Sequence, residues 1–202
     1  MLSQFVAAQE TLKAIKNDIG FNTNFILNGI FNSGSNPFSF VYKRQLTEQS
    51  AWRSGVSFNV NINSISGQPT NYSQQTFYSI NPSIGKEWQL SLSKRWIWYY
   101  GSDFRASFSE SHYNYYSNGR ISNEHQQNYF GLFVAPFLGI RFVINERLYA
   151  ATEASLSIGY NHQQGSDTSF DNGTQNSSLE YTTNGFTANT ASAFGIFIFY
   201  RF

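Results

Sequence analysis

From Asp18 to the last residue, apolar and polar side chains alternate with a period of two. That period marks strands with one apolar and one polar face. Ile19, Phe21, Phe25, Leu27 and Phe31 alternate with Gly20, Asn22, Asn24 and Asn28. The turn cluster Ser33-Gly34-Ser35-Asn36-Pro37 leads to a second strand, with Phe38, Phe40 and Tyr42, that ends near Lys43-Arg44. A third strand sets Trp52, Val56, Phe58, Val60 and Ile62 against Arg53, Gly55, Ser57, Asn59 and Asn61. In the fourth, Ile80, Pro82, Ile84 and Trp88 oppose Asn81, Ser83, Gly85 and Glu87. The fifth opposes Trp96, Trp98, Tyr100, Phe104, Ala106 and Phe108 to Tyr99, Gly101, Asp103, Arg105 and Ser107.

The sixth strand runs from Phe130 to Ile144 on even-numbered apolar positions, with Gly131, Ala135, Gly139 and Arg141 between them. Phe133 and Phe137 make its second face partly apolar. The seventh carries Leu148, Ala150, Ala154, Leu156, Ile158 and Tyr160 against Glu153, Ser155 and Ser157. The eighth starts at Gly185 and ends on Phe202, with Phe194, Ile196, Ile198, Tyr200 and Phe202 on one side and Phe197, Phe199 and Arg201 on the other. Short turns are expected near Leu46, Leu92 and Glu146. Long polar loops are expected at Ser64–Thr76, Ser109–Asn128 and Asn161–Asn184. Pro82 and Pro136 fall mid-strand, where each removes a ladder donor, so a bulge is expected at each.

Eight antiparallel strands, an even number, with short turns at one end and longer connections at the other, read as an up-and-down transmembrane β-barrel. Composition supports this. Only 12% of residues are charged while 18% are aromatic, against roughly 25% charged in ordinary soluble proteins. No run approaches the roughly 18 apolar residues of a spanning helix. A net charge of +1 gives no field suited to nucleic acid, and the absence of cysteine excludes disulfides and thiolate metal sites. A calyx with its apolar face turned inward around a ligand is the soluble alternative. Residues 1–9 look like the end of a signal peptide or an N-terminal tail, leaving 10–202 as the barrel domain.

All four tryptophans, Trp52, Trp88, Trp96 and Trp98, stand beside short turns. Indole favours a membrane interface, so these predict a periplasmic aromatic girdle. Phe31, Phe38, Tyr78, Tyr160 and Phe186 would form the opposite one. Lys43, Arg44, Lys86, Lys94, Arg95, Arg147 and Arg201 would make a basic rim at the short-turn end. Glu110, Glu124, Asp167, Asp171 and Glu180 would lie in the outer loops.

By parity Arg53, Glu87, Asp103, Arg105, Arg141 and Glu153 face the interior. Isolated buried charge is costly and eight strands enclose little more than side chains, so these six are expected to pair and plug the lumen. A narrow polar pathway for small solutes is the alternative. His112, His125 and His162 have no metal-ligand spacing, although a composite site with Glu110, Glu124 or Asp167 is conceivable chemistry. Ser109-Glu110-Ser111-His112 holds the residue types of a hydrolytic triad, but neighbours on a strand face opposite ways. No catalytic, metal or cofactor-binding residue is therefore assigned.

The segments Tyr99-Tyr100-Gly101, Leu138-Gly139-Ile140-Arg141-Phe142 with Asn145-Glu146-Arg147, and Phe199-Tyr200-Arg201-Phe202 resemble small eight-stranded outer-membrane barrels of the OmpX and OmpA transmembrane-domain type. They are similar above all to the outer-membrane β-barrel domain proteins of Bacteroidota. The resemblance covers about Asn17 to Phe202. It implies a Gram-negative outer membrane with both termini periplasmic, and contact with lipid and lipopolysaccharide. It also implies insertion by the outer-membrane assembly machinery, which reads the C-terminal strand. Tyr200 and Phe202 match that insertion signal, while Gly195 lies further upstream than its usual glycine. Membership of a larger outer-membrane complex is a further implied partnership. Such barrels include structural proteins, adhesins and a few lipid-modifying enzymes of the lipid A deacylase or acyltransferase kind. The fold alone does not choose among these, and a structural or interaction role without catalysis is the expectation.

Overall fold

The computed structural model describes residues 16–23, 38–68, 70–171, 173–191 and 196–202. Its strands are β1 (Asn17–Asn22), β2 (Phe38–Thr47), β3 (Ser50–Gln68), β4 (Asn71–Ser91), β5 (Trp96–Ser117), β6 (Arg120–Val143), β7 (Leu148–Asp171), β8 (Thr174–Ala191) and β9 (Ile196–Arg201). Residues 1–9, Phe25, Leu27, Phe31, the turn at Ser33 and Phe194 lie outside the described residues.

All pairings are antiparallel between neighbours, and the sheet closes on itself. β1 pairs with β9 from Asp18↔Arg201 to Asn22↔Phe197. Asn17 and Phe202 exchange both backbone hydrogen bonds, at 3.0 and 2.9 Å. β9 pairs with the start of β7, Leu148↔Tyr200 to Thr152↔Ile196, and β8 pairs with the rest of it, Ser155↔Ala191 to Asp171↔Thr174. β8 and β9 thus share one place in the ring. At the short-turn end the order around the barrel is β1-β2-β3-β4-β5-β6-β7-β9, which makes eight positions.

The short turns are held by side-chain caps. Asn145 Oδ1 accepts from the Arg147 and Leu148 amides at 2.9 and 2.8 Å, a local bond that asparagine favours. Ser93 Oγ accepts from Trp96 N at 3.2 Å. The Thr47 and Ser50 hydroxyls meet at 2.8 Å.

The other end differs from the sequence expectation. Ser64–Thr76, Ser109–Asn128 and Asn161–Asn184 are not long loops; they are the outer parts of β3 to β8. β5 and β6 pair without a break in the chain from Trp96↔Phe142 to Ser117↔Arg120, with one register shift near the tip. The connection is Asn118-Gly119 with φ of 52° and 74°, both left-handed as a tight two-residue hairpin turn requires. Gly173, which follows Asn172 in another Asn-Gly pair, has φ of 83°. Hydroxyl, amide and tyrosine side chains alternate on an extended ladder as readily as apolar ones when both faces meet water. Polarity was therefore no sign of a loop.

The prolines are also accommodated differently than expected. β4 and β5 pair at Ile80↔Phe108 and again at Ser83↔Arg105 with the same offset. β6 and β7 pair at Val134↔Ile158 and again at Phe137↔Ser155, again with one offset. Each proline leaves a gap in one ladder while keeping the register, so no bulge forms. Pro82 and Pro136 each remain paired on their other side, to Val56 and Ser102.

Burial follows the alternation. β6 reads buried at 131, 133, 135, 137 and 139 and exposed at the even positions between 132 and 138. The interior holds Val41, Ala51, Tyr99, Phe133, Phe137, Tyr149 and Phe199 interleaved with charged groups. Glycines make room for the rings. A Cβ at Gly139 would stand 2.4 Å from the Tyr99 ring, and one at Gly20 would stand 2.4 Å from Phe199. Large residues beside small ones are how a narrow barrel fills its bore.

Candidate functional site

The candidate site is a stack of ion pairs along the bore, and its lowest member sits at the closing seam. Asp18 of β1, fully buried, accepts from Arg201 Nε at 2.7 Å and Nη2 at 3.1 Å, and from the Tyr149 hydroxyl at 2.9 Å. One carboxylate therefore joins the first strand, the last strand and β7.

Above it, Glu87 of β4 gathers three cations. Lys43 Nζ of β2 lies at 2.5 Å, Arg141 Nη2 of β6 at 2.8 Å and Arg53 Nη1 of β3 at 3.6 Å. Gln89 adds a hydrogen bond at 2.9 Å. Aromatic faces cover the cations: Lys43 Nζ is 4.7 Å from the Tyr99 centroid and 4.6 Å from that of Phe199, and Arg141 is 4.3 Å from Tyr149. Such contacts offset part of the desolvation cost.

Next, Arg53 reaches across the bore to Glu153 of β7 with two bonds of 2.8 and 3.3 Å. β3 and β7 stand four places apart in a ring of eight, so this pair spans a diameter. Arg53 also lies 3.3 Å from Asp103 Oδ1, a charge contact without hydrogen-bond alignment, and 4.0 Å from the Phe137 ring centre. At the top, Arg105 is held loosely, at 3.4 Å from each of Asp103 Oδ2, Ser155 Oγ and Ser157 Oγ.

All six residues assigned to the interior by parity, Arg53, Glu87, Asp103, Arg105, Arg141 and Glu153, thus lie in one cluster. Two residues expected in the basic rim do not belong there. Lys43 is 1% exposed inside the bore, and Arg201 turns inward to Asp18. Asp18 and Tyr149 have no place in the sequence expectation, and Tyr99 is placed there on the inner face without a role in the cluster. The signal was present: Lys43 alternates with Phe40 and Tyr42, and Asp18 with Ile19. Their nearness to turns suggested a solvated rim. Arg44, Lys94, Arg95 and Arg147 are exposed at that end.

On the outside, Trp52, Trp88, Trp96 and Trp98 are each exposed beside the short turns. Trp88 stacks on Tyr100 at 5.9 Å and Trp96 tilts against Phe142 at 4.8 Å. Tyr78, Tyr160 and Phe186 are exposed further along. Tyr200 and Phe202 are exposed on the outer face of the seam.

The histidines form separate pairs on the polar extension. His112 bonds Glu110 at 2.7 Å, His125 bonds Asp167 at 2.5 Å, and His162 bonds Asn184 at 2.6 Å. Among the described residues no three metal-ligating side chains cluster. Glu110 and His112 share one face of β5, and Ser109 and Ser111 project from the other, so these four residues do not assemble a triad.

No protein-family model matches the chain, and no curated protein matches it. Among solved structures it is similar to the crystal structure of Acinetobacter baumannii CarO, with 9% sequence identity and a TM-score of 0.31. The likeness covers 93% of this chain and 94% of that one. The fold assignment rests on the strand order and register above, not on this likeness.

Proposed function

We propose that the chain is an integral outer-membrane barrel with a structural or interaction role, its bore closed by the ion-pair stack. The observation that carries closure is the Arg53–Glu153 pair between diametrically opposite strands. Side chains from facing walls meet there, and little space is left beside them in an eight-stranded bore.

The membrane reading is supported by the exposed apolar girdle. Outward positions of β5 are apolar from Trp96 to Phe108 apart from Ser102, a stretch of thirteen residues. At about 3.3 Å per residue and a typical barrel tilt of about 40°, this is about 30 Å along the axis. A bilayer's hydrocarbon core is also about 30 Å thick. So extensive an apolar surface on a soluble monomer would be an association hazard. The apolar side faces out and the charged side faces in, the reverse of a soluble calyx.

In this reading the tryptophan girdle and both chain ends face the periplasm. The polar parts of β3 to β8 stand outside the cell, where Tyr, Asn and Ser offer adaptable contacts. Lipid and lipopolysaccharide surround the girdle, the assembly machinery recognises the strand ending in Tyr200 and Phe202, and a larger outer-membrane complex is a candidate partner. The kinship with OmpX- and OmpA-type barrels and with the Bacteroidota family is part of the same proposal.

Planar-bilayer recording tests closure: no unitary current steps are expected, and stable steps would replace the plug with a narrow channel. Fractionation tests location. The protein should stay with outer membranes through a high-salt wash, and release without detergent would end the membrane reading.

A further inference from the structure

On the outer extension, β6, β7 and β8 form a concavity of about 250 Å³ lined by Gln126, Asn128, Gln164, Ser166, Glu180 and Thr182. The ladders fix its layout. Asn128 pairs with Gln164 and Gln164 with Thr182, while Gln126 pairs with Ser166 and Ser166 with Glu180. Both ladders keep one register from Ile158 to Ser169, so the six side chains share the outward side of Leu132, Ile158 and Tyr160. Gln164 stands four residues along β7 from Tyr160, and Thr182 four along β8 from Phe186. With about 3.3 Å per residue and a tilt of about 40°, the concavity lies about 10 Å above that aromatic level. It opens sideways at the depth of lipid head groups.

Neighbouring rows of the same face are bonded within the protein. Below, Asn184 Oδ1 accepts from the Tyr160 hydroxyl at 2.7 Å and lies 2.6 Å from His162 Nδ1. Above, the Thr168 and Ser178 hydroxyls meet at 3.3 Å. To the side, on β5, Glu110 and His112 pair at 2.7 Å. The six side chains of the concavity make no such bond to any described residue. Three amides, two hydroxyls and one carboxylate therefore turn unused donors and acceptors toward one small volume. Its lining holds a carboxylate and no cation, and Glu110 and Glu124 stand on the same outward face. That charge pattern disfavours phosphate and suits a neutral ligand dense in hydroxyl groups.

We infer that this concavity binds the neutral sugar ring of a glycolipid held in the surrounding outer leaflet. Each ring hydroxyl both donates and accepts, and a side-chain amide offers a donor and an acceptor side by side to match two neighbouring hydroxyls. Glu180 adds a charged acceptor, whose hydrogen bonds are the stronger kind. Sideways opening at head-group depth favours a sugar delivered along the membrane over one arriving from solution. The inference rests on the membrane reading, which sets that depth.

The test uses the whole protein refolded in dodecylphosphocholine micelles, into which dodecyl maltoside is titrated. The side-chain amide resonances of Gln126, Asn128 and Gln164 are followed by NMR, with Gln127 and Gln163 of the inner face as references. The three outward amides should move to a plateau while the references stay in place. Gln164 is exposed, so Gln164→Ala should keep the folded spectrum and raise the half-saturating maltoside fraction about tenfold. No plateau, movement of the references in step, or an unchanged half-saturation in Gln164→Ala would overturn the site. The same response to added dodecylphosphocholine or to dodecyl phosphate would overturn recognition of a neutral sugar. Free maltose saturating at as low a concentration as the maltoside would overturn the membrane-anchored source. Salt-wash fractionation reports location independently, so failure of the membrane reading and failure of the sugar site remain distinguishable.

Discussion

The same strands build two unlike regions. Near the short turns the bore is dry: Glu87 and Arg141 are fully buried and held among several partners. In the outer extension, polar and titratable side chains sit in isolated pairs, as with His125 and Asp167 at 35 and 54% exposed. Both regions show the same period of two and the same antiparallel ladder. The difference is solvent. Breaking one partner of a buried pair strands a charge in low dielectric, whereas an exposed pair is replaced by water at little cost. Rigidity is therefore concentrated at the turn end, and the outer sheet is free to vary its surface chemistry.

The severest way to break this contrast is at the seam. Deleting Tyr200 to Phe202 removes the Arg201–Asp18 fork and the Asn17–Phe202 backbone pair, along with the expected insertion signal. Loss of the heat-modifiable folded form from outer membranes is expected, and normal amounts of it would refute the role given to this end. Next in size, Glu87→Ala leaves three cations facing one another. A loss of about 3–5 kcal/mol is expected in denaturant unfolding from micelles. A smaller effect would mean that water enters the bore.

Gly139→Ala tests how tightly the same region is packed. Its Cβ would meet the Tyr99 ring at 2.4 Å and the Thr152 carbonyl at 2.5 Å, so a loss of about 1–3 kcal/mol is expected in the same measurement. The smallest change belongs to the outer sheet, where Asp167→Ala should alter stability by no more than about 1 kcal/mol. Double-mutant cycles on Arg53–Glu153 and His125–Asp167 sharpen the comparison, because they separate pair coupling from the cost of each truncation. Equal coupling energies in the two regions would contradict the division drawn here.

Much of the barrel was legible in the chain because alternation records which side each residue faces. Trp52 and Arg53 are assigned to opposite faces by their neighbours alone. The outer hairpins were legible too, through the Asn-Gly pair at 118–119, but polarity masked them. A rule that equates polar stretches with loops holds only where one face of a strand must be dry. Lys43 and Arg201 show the complementary error. Position near a turn suggested water, while parity pointed inward, and parity prevailed because it is set by backbone geometry.

The sequence by itself determined which residues share a face, apolar on one and charged or small on the other, with tryptophans at one end, since strand pleating leaves each side chain no other side; that the apolar face is the outer one was decided by the closed sheet. Partners were decided only by closure of the sheet. Arg53 and Glu153 are 100 residues apart in the chain, and no local pattern relates them. They meet because ring order and register bring opposite walls to the same height. The same closure gathers Lys43, Arg53 and Arg141 from three strands around Glu87, a property of the assembled bore that no single strand carries.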